Sequence, residues 1–160
     1  LIESDKEFAE DLQLKFVGKL AHEVFDSLDA FKLSTTIEFI PYLPHEEVVV
    51  FQQKAQILLL AVNNVPSSGG IITGKVFEYL KANRPILAIG PSDGDLAEIL
   101  DTTKAGKVVD FNDEETLKKN ILEMYLAYKN HNLVVRSNNI DQYHRKNLTG
   151  QSAEIIKKIV

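Results

Sequence analysis

Apolar stretches alternate with amphipathic stretches along the whole chain, and this alternation predicts a regular succession of strands and helices. Short runs rich in β-branched and aliphatic residues predict five strands, at residues 12–17, 36–40, 56–62, 85–89 and 106–110. Stripes with helical spacing predict helices at residues 20–31, 44–55, 73–82, 93–100 and 113–128, and one or two more within 137–160. Pro44 is expected in the first turn of its helix, and Asp113 is expected to cap the helix that follows it.

The order of these elements predicts the fold class. Strands that alternate with helices favour an α/β protein, a Rossmann-like three-layer α/β/α arrangement with a parallel sheet. The uninterrupted apolar run at residues 56–62, QILLLAV, is typical of a central strand covered on both faces. A length of 160 residues suits one domain, residues 1–160, with the terminal helical segment at 137–160. Such sheets bind ligands beyond the carboxyl ends of their strands, so the loops after Val17, Ile40, Val62 and Ile89 are the candidates.

Composition narrows the classes of function. A net charge of −5 argues against a nucleic-acid partner, because phosphate backbones require a basic face. The absence of cysteine excludes disulfides, cysteine-ligated zinc and thiol catalysis, and it fits a reducing compartment, so we expect a cytoplasmic protein. No apolar run reaches the roughly 20 residues of a membrane span, and the four histidines lack metal-ligand spacing. The chain begins with Leu1, which we interpret as the start of a piece of a longer protein.

The most informative segment is residues 63–80, NNVPSSGGIITGKVFEYL. Gly69 and Gly70 allow the backbone to approach a ligand closely. The loop leads into a helix whose first turn offers free N–H groups and a positive dipole end, which favours phosphate. Lys75 lies in that first turn and Glu78 lies three residues later, on the same face. A cation for a diphosphate and a carboxylate for sugar hydroxyls suit a nucleotide, although a solvated lysine and a surface ion pair are the simpler alternatives.

A phosphate loop of the Walker A type is a weaker interpretation of the same residues. Residues 69–75, GGIITGK, fit its first seven positions, but Val76 stands where a magnesium-binding Ser or Thr is required. The loop also starts six residues after its strand, and no acidic partner motif follows an apolar strand. The dinucleotide pattern GxGxxG is missing, which speaks against a standard nicotinamide enzyme.

Residues 74–89, GKVFEYLKANRPILAI, resemble the donor-domain signature of the retaining glycosyltransferases with the GT-B fold, in which a Lys-x-x-Glu-Tyr-Leu helix precedes a Pro-Ile/Val-Leu strand. Residues 14–20, 37–47, 106–113 and 143–160 resemble the neighbouring elements of the same domain. The similarity covers nearly the whole chain but only the second half of a family member. It implies a nucleotide-sugar-binding domain that works with an N-terminal acceptor domain, which would also mediate any peripheral association with a membrane.

The resemblance also implies roles for individual residues. Glu78 matches the second glutamate of the family's E-x7-E motif, which contacts the ribose, and Lys75 and Lys19 match diphosphate-binding positions that stabilise the leaving group. The remaining implied donor-binding residues are Gly18, Tyr42, Leu43 and Pro44 near the base and diphosphate, and Ser68, Gly69, Gly70, Ile71, Thr73 and Gly74 around the sugar and phosphates. No obligatory metal or other cofactor is implied, since the nucleotide diphosphate sugar is itself the substrate.

One departure from the family bears on activity. Gly70 stands where the first glutamate of the motif belongs, eight residues before Glu78, and that glutamate contacts the donor sugar in the family. The expected reaction is transfer of a sugar to an acceptor hydroxyl, in polysaccharide or surface glycan synthesis. A non-catalytic binding or interaction domain on the same scaffold and half of a nucleotide-sugar epimerase are the alternatives.

Overall fold

The five predicted strands all form in the computed structural model, which describes residues 1–31, 33 and 36–159. All three strand pairings in the described residues are parallel, and helices connect the strands, so the prediction of an α/β fold is confirmed. The chain divides into two compact units, Leu1–Phe51 and Gln52–Val160. The extension of one domain over residues 1–160 stays a prediction.

Unit 1 contains a two-stranded parallel sheet. Its elements are α1 (Lys6–Asp11), β1 (Leu14–Val17), α2 (His22–Ala30), β2 (Ile37–Ile40) and most of α3 (His45–Lys54), within which the unit boundary falls. Phe39 of β2 packs against Phe25 and Phe16, with ring centroids 4.6 and 5.9 Å apart. The sequence pattern missed α1, a short helix of six residues whose one buried residue is Phe8.

Unit 2 contains a three-stranded parallel sheet in the order β3-β4-β5. Its elements are β3 (Leu58–Ala61), α4 (Gly74–Ala82), β4 (Ile86–Ile89), α5 (Asp95–Thr103), β5 (Gly106–Val109), α6 (Glu114–Lys129) and α7 (Arg145–Ile159). Successive side chains of β4 point to opposite faces of the sheet. Ile86 and Ala88 belong to a core formed with α4 and α5, whereas Leu87 belongs to a second core with α6. Helices therefore cover both faces of this sheet.

One prediction about the sheet is wrong. Residues 56–62 were expected to form a strand covered on both faces, but β3 is an edge strand of its sheet and the side chain of Leu59 is 48% exposed. The central strand is β4, in which Ile86, Leu87 and Ala88 are all buried. A short apolar run does not distinguish one covered face from two, because the side chains alternate whether or not the second face is covered.

The helix ends follow local sequence signals. Asp113 caps α6 as predicted, because its side chain accepts a hydrogen bond of 3.0 Å from the Thr116 backbone N–H. The predicted terminal segment contains a 3₁₀ turn, Ile140–Tyr143, followed by α7. Val160, assigned by the sequence pattern to that last helix, lies outside the described residues. No helix within the described ranges has both the length and the apolar character needed to cross a membrane.

Candidate functional site

The predicted site residues fall into both units. Unit 1 holds Gly18, Lys19, Tyr42, Leu43 and Pro44. The Gly18 N–H donates to the Ile40 carbonyl at 3.0 Å, so the carboxyl ends of β1 and β2 lie side by side. Gly18 has a φ of 111°, a conformation that favours glycine, and the adjacent Lys19 is exposed. Tyr42 is 76% exposed. Unit 1 therefore presents the two predicted loops at one edge of its sheet.

The remaining predicted residues lie in unit 2, in the loop between β3 and α4 and in α4 itself. They are Ser68, Gly69, Gly70, Ile71, Thr73, Gly74, Lys75 and Glu78. Ser68–Gly70 form a 3₁₀ turn in which Ser68 is buried. The turn packs against the start of α5 so closely that a Cβ atom added to Gly94 would lie 2.7 Å from the Gly69 carbonyl oxygen. The backbone of the glycine loop is thus held against the neighbouring helix.

The start of α4 lacks the cap and the first-turn acidic residues that commonly offset the positive end of a helix. Thr73 occupies the N-cap position, but its side chain makes no capping hydrogen bond, and no acidic residue lies in the first turn. The Oγ1 atom of Thr73 is buried without a hydrogen-bond partner among the described residues. Lys75 is exposed, and it forms no ion pair with any described residue. An anion bound here would meet unpaired N–H groups, the helix dipole and an ammonium group.

The neighbouring helices of unit 2 differ from α4 in this respect. The first turn of α5 contains Asp95 and Glu98. Helix α6 is capped by Asp113, and its first two residues are Glu114 and Glu115. Acidic side chains at these positions offset the positive ends of their own helices. Of these three helices, α4 is the one that leaves its positive end available to a ligand.

Glu78 has a partner that the sequence did not indicate. The simpler alternative for Lys75 and Glu78, an i,i+3 ion pair, does not form in the structure. Instead, the Nε2 atom of Gln52 donates a hydrogen bond of 3.0 Å to Oε2 of Glu78. Burial raises the pKa of the neighbouring Tyr79, and the charge of Glu78 raises it further. Gln52 lies 26 residues from Glu78 in sequence, and no local spacing signal connects them.

Other polar groups at this edge of the sheet are paired with each other. The backbone N–H and the hydroxyl of Ser92 both donate to the carboxylate of Asp110. Gly94 is the N-cap residue of α5, which has no side-chain capping hydrogen bond. Within the part of the chain that the structure describes, no cluster of three or more His, Asp or Glu side chains could hold a metal ion.

The position at which the resemblance would place a glutamate, residue 70, is open. A Cβ atom added to Gly70 would meet no atom within 4 Å, and Gly70 does not have a positive φ that would require glycine. The fold therefore leaves room for a side chain at this position, and the absence of a carboxylate here is a property of the sequence rather than a steric requirement.

Comparison with models of known protein families finds no match, and comparison with curated proteins finds no significant match.

Proposed function

We propose that the chain binds a nucleoside diphosphate sugar, with the diphosphate at the start of α4. The observation that carries this proposal is the first turn of α4, where an uncapped N-terminus, an exposed Lys75 and the absence of acidic residues coincide. The nearby glycine turn adds backbone that a ligand can approach closely, since Cβ positions at Gly69 and Gly70 meet no atom within 4 Å.

Glu78 supports a nucleotide rather than an isolated phosphate. It lies three residues beyond Lys75, about 4.5 Å further along the helix axis, on the same side. A carboxylate repels phosphate, so the diphosphate belongs at the start of the helix and a neutral group with hydroxyl donors belongs beside Glu78. A ribose with two adjacent hydroxyls has this chemistry, and the resemblance to the GT-B donor domain assigns Glu78 the same role.

The reaction we propose is transfer of the sugar to an acceptor hydroxyl, in polysaccharide or surface glycan synthesis, with the acceptor held by a separate domain. Negative charge builds up on the leaving nucleoside diphosphate in the transition state. Lys75 and the N–H groups of α4 would stabilise this charge without an obligatory metal. Loss of one donor of this kind raises a barrier by about 3 kcal/mol.

Binding without transfer is the second candidate, and Gly70 favours it. The family places a glutamate at this position to contact the donor sugar, whereas this chain has no side chain there. On this reading, the nucleotide contacts of Lys75 and Glu78 are retained while the contact that orients the sugar is lost.

The test is an NMR titration of the chain with UDP, GDP and ADP and with UDP-glucose, GDP-mannose and ADP-glucose, without added metal. We expect one base to bind saturably, with amide shifts concentrated at Gly69–Lys75 and Glu78. The same spectra test the residues predicted in unit 1, above all Lys19 and Tyr42. Assays of sugar release to water or to an added hydroxyl acceptor then separate transfer from binding alone.

Matched variants make the titration specific. Lys75→Ala should weaken nucleotide binding strongly, whereas Lys81→Ala, which removes the same charge from the last turn of the same helix, should leave it unchanged. Glu78→Ala should remove most of the affinity, with Glu115→Ala on the exposed side of α6 as its control. A well-dispersed spectrum that does not change at millimolar nucleotide would refute the proposal.

A further inference from the structure

The hydrogen bond between Gln52 and Glu78 joins two residues of unit 2 that lie in different helices, α3 and α4. Gln52 lies in the last turn of α3, is only 8% exposed, and donates through Nε2 to Oε2 of Glu78 at 3.0 Å. The other carboxylate oxygen, Oε1, receives no hydrogen bond from the described residues. The carboxylate of Glu78 is therefore held through one oxygen, and the other has no hydrogen-bond partner among the described residues.

The type of residue at position 52 matters for this arrangement. Gln52 follows Val48 by four residues and precedes Ala55 by three, and all three face the partly or fully buried side of the segment. An apolar side chain would be the usual choice there, because a buried amide without a partner costs free energy. A lysine or arginine at position 52 would neutralise Glu78 and compete with a ligand for both oxygens. An amide orients the carboxylate through one N–H and leaves its negative charge available.

We infer that Gln52 is a positioning residue that holds Glu78 for the ribose hydroxyls, and so sets the preference for a ribonucleotide over its 2′-deoxy form. This inference rests on the proposed nucleotide-binding function. With one oxygen restrained by Gln52, the plane of the carboxylate is fixed, and Oε1 is directed to a hydroxyl donor. Without Gln52 the carboxylate can rotate, and its contribution to hydroxyl recognition falls while the phosphate contacts of α4 remain.

The experiment compares whichever of UDP, GDP and ADP binds most tightly with its 2′-deoxy form, by isothermal titration calorimetry on the full chain. Gln52→Met removes the amide and keeps the unbranched length of the side chain. Gln53→Met is the matched control, since Gln53 is exposed and its side chain makes no hydrogen bond with the described residues; it accepts one from Arg84 through its backbone carbonyl. Both variants are also made in a Glu78→Ala background.

We expect Gln52→Met to weaken ribonucleotide binding about fivefold, which is within the range for directly coupled residues, and to affect the 2′-deoxy form much less. Gln53→Met should change neither. In the Glu78→Ala background, Gln52→Met should have no further effect, because Gln52 acts through that carboxylate. The ratio of the two affinities is independent of the folded fraction, so a loss of stability alone does not change it. Should Gln52→Met fail to fold, Gln52→Asn, whose shorter amide cannot reach Glu78, replaces it.

The possible failures are distinguishable. If the unmodified chain binds none of the three nucleotides, the proposed function is overturned and this inference with it. If it binds and Glu78→Ala abolishes the ribose preference, but Gln52→Met and Gln52→Asn retain that preference, the proposed function stands and the positioning role is wrong. An equal loss for the ribonucleotide and its 2′-deoxy form would also overturn the role, since it would indicate a purely structural contribution of Gln52.

Discussion

Replacement of Gly94 would test whether the contact between the Ser68–Gly70 turn and α5 shapes the candidate site. Gly94 is the N-cap residue of α5, with φ of −89° and ψ of 172°, a conformation open to any residue. Replacement by alanine therefore introduces no backbone strain of its own. The added Cβ would lie 2.7 Å from the carbonyl oxygen of Gly69 and 3.2 Å from its Cα. The steric effect of Gly94→Ala on the folded chain comes from this collision.

The size of the effect follows from two opposing contributions. The Cβ is about 0.7 Å too close to the Gly69 carbonyl oxygen for ordinary van der Waals contact, and the obstacle is backbone, which cannot rotate away as a side chain can. Forced overpacking of this kind costs about 1–3 kcal/mol. Alanine restricts the unfolded chain more than glycine does, and this restriction favours the folded state by about 0.4–1 kcal/mol. The difference is a net loss of stability of about 0–2.6 kcal/mol, and we expect it to be accompanied by displacement of the turn.

The assay is urea unfolding followed by circular dichroism, combined with amide NMR spectra of the folded variant. Gly70→Ala is the matched control, because its added Cβ meets nothing within 4 Å and should leave stability equal or slightly higher. Gly94→Ala should shift the amide signals of Ser68–Gly70 and weaken nucleotide binding, whereas Gly70→Ala should leave the rest of the turn in place. If Gly94→Ala is as stable as Gly70→Ala and leaves the Ser68–Gly70 signals unchanged, the proposed packing of the turn on α5 is wrong.

Three further predictions concern single side chains. Gly70→Glu should change the free energy of unfolding by less than about 1 kcal/mol, because the position is open; a larger loss in urea unfolding would contradict the observed space. The hydrogen bonds from Thr116 lower the pKa of Asp113, so this carboxylate stabilises the chain above its ordinary pKa, and the stabilisation is lost on acidification through the lowered value. In urea unfolding at a series of pH values, the midpoint of Asp113→Ala should therefore fall less on acidification than that of the unmodified chain. Burial, and secondarily Glu78, raises the pKa of Tyr79, so stability should fall as the pH rises above 10, and Tyr79→Phe should reduce that fall.

Local patterns were sufficient to predict most of the fold. The five strands and the larger helices appeared where their period-two and helical patterns lie, and Asp113 formed the predicted cap. The missed helix α1 has only Phe8 buried, so it lacks the repeated apolar positions on which the prediction depends. The wrong assignment of the central strand concerned β3, whose neighbours are set by long-range pairing. Strand order depends on contacts between distant segments, and apolar runs alone do not specify it.

In the candidate site, too, the features set by local sequence could be predicted and those set by long-range contacts could not. The geometry of Lys75 and Glu78 follows from the helical repeat, so the sequence could place both on one side of α4. The groups that restrain this site, Gln52 and Gly94, belong to other elements and contact it only because the helices pack on the sheet.

The contact between Gln52 and Glu78 affects how the Lys-x-x-Glu motif of α4 should be interpreted. A Lys-x-x-Glu helix by itself predicts a surface ion pair as readily as a ligand site, since the spacing is the same in both cases. Our proposal of a ligand site is supported by the absence of that ion pair: Glu78 accepts a hydrogen bond from the buried, uncharged Gln52, and Lys75 does not pair with it. The contact with Gln52 therefore separates the two interpretations of the motif, which the spacing of Lys75 and Glu78 alone does not.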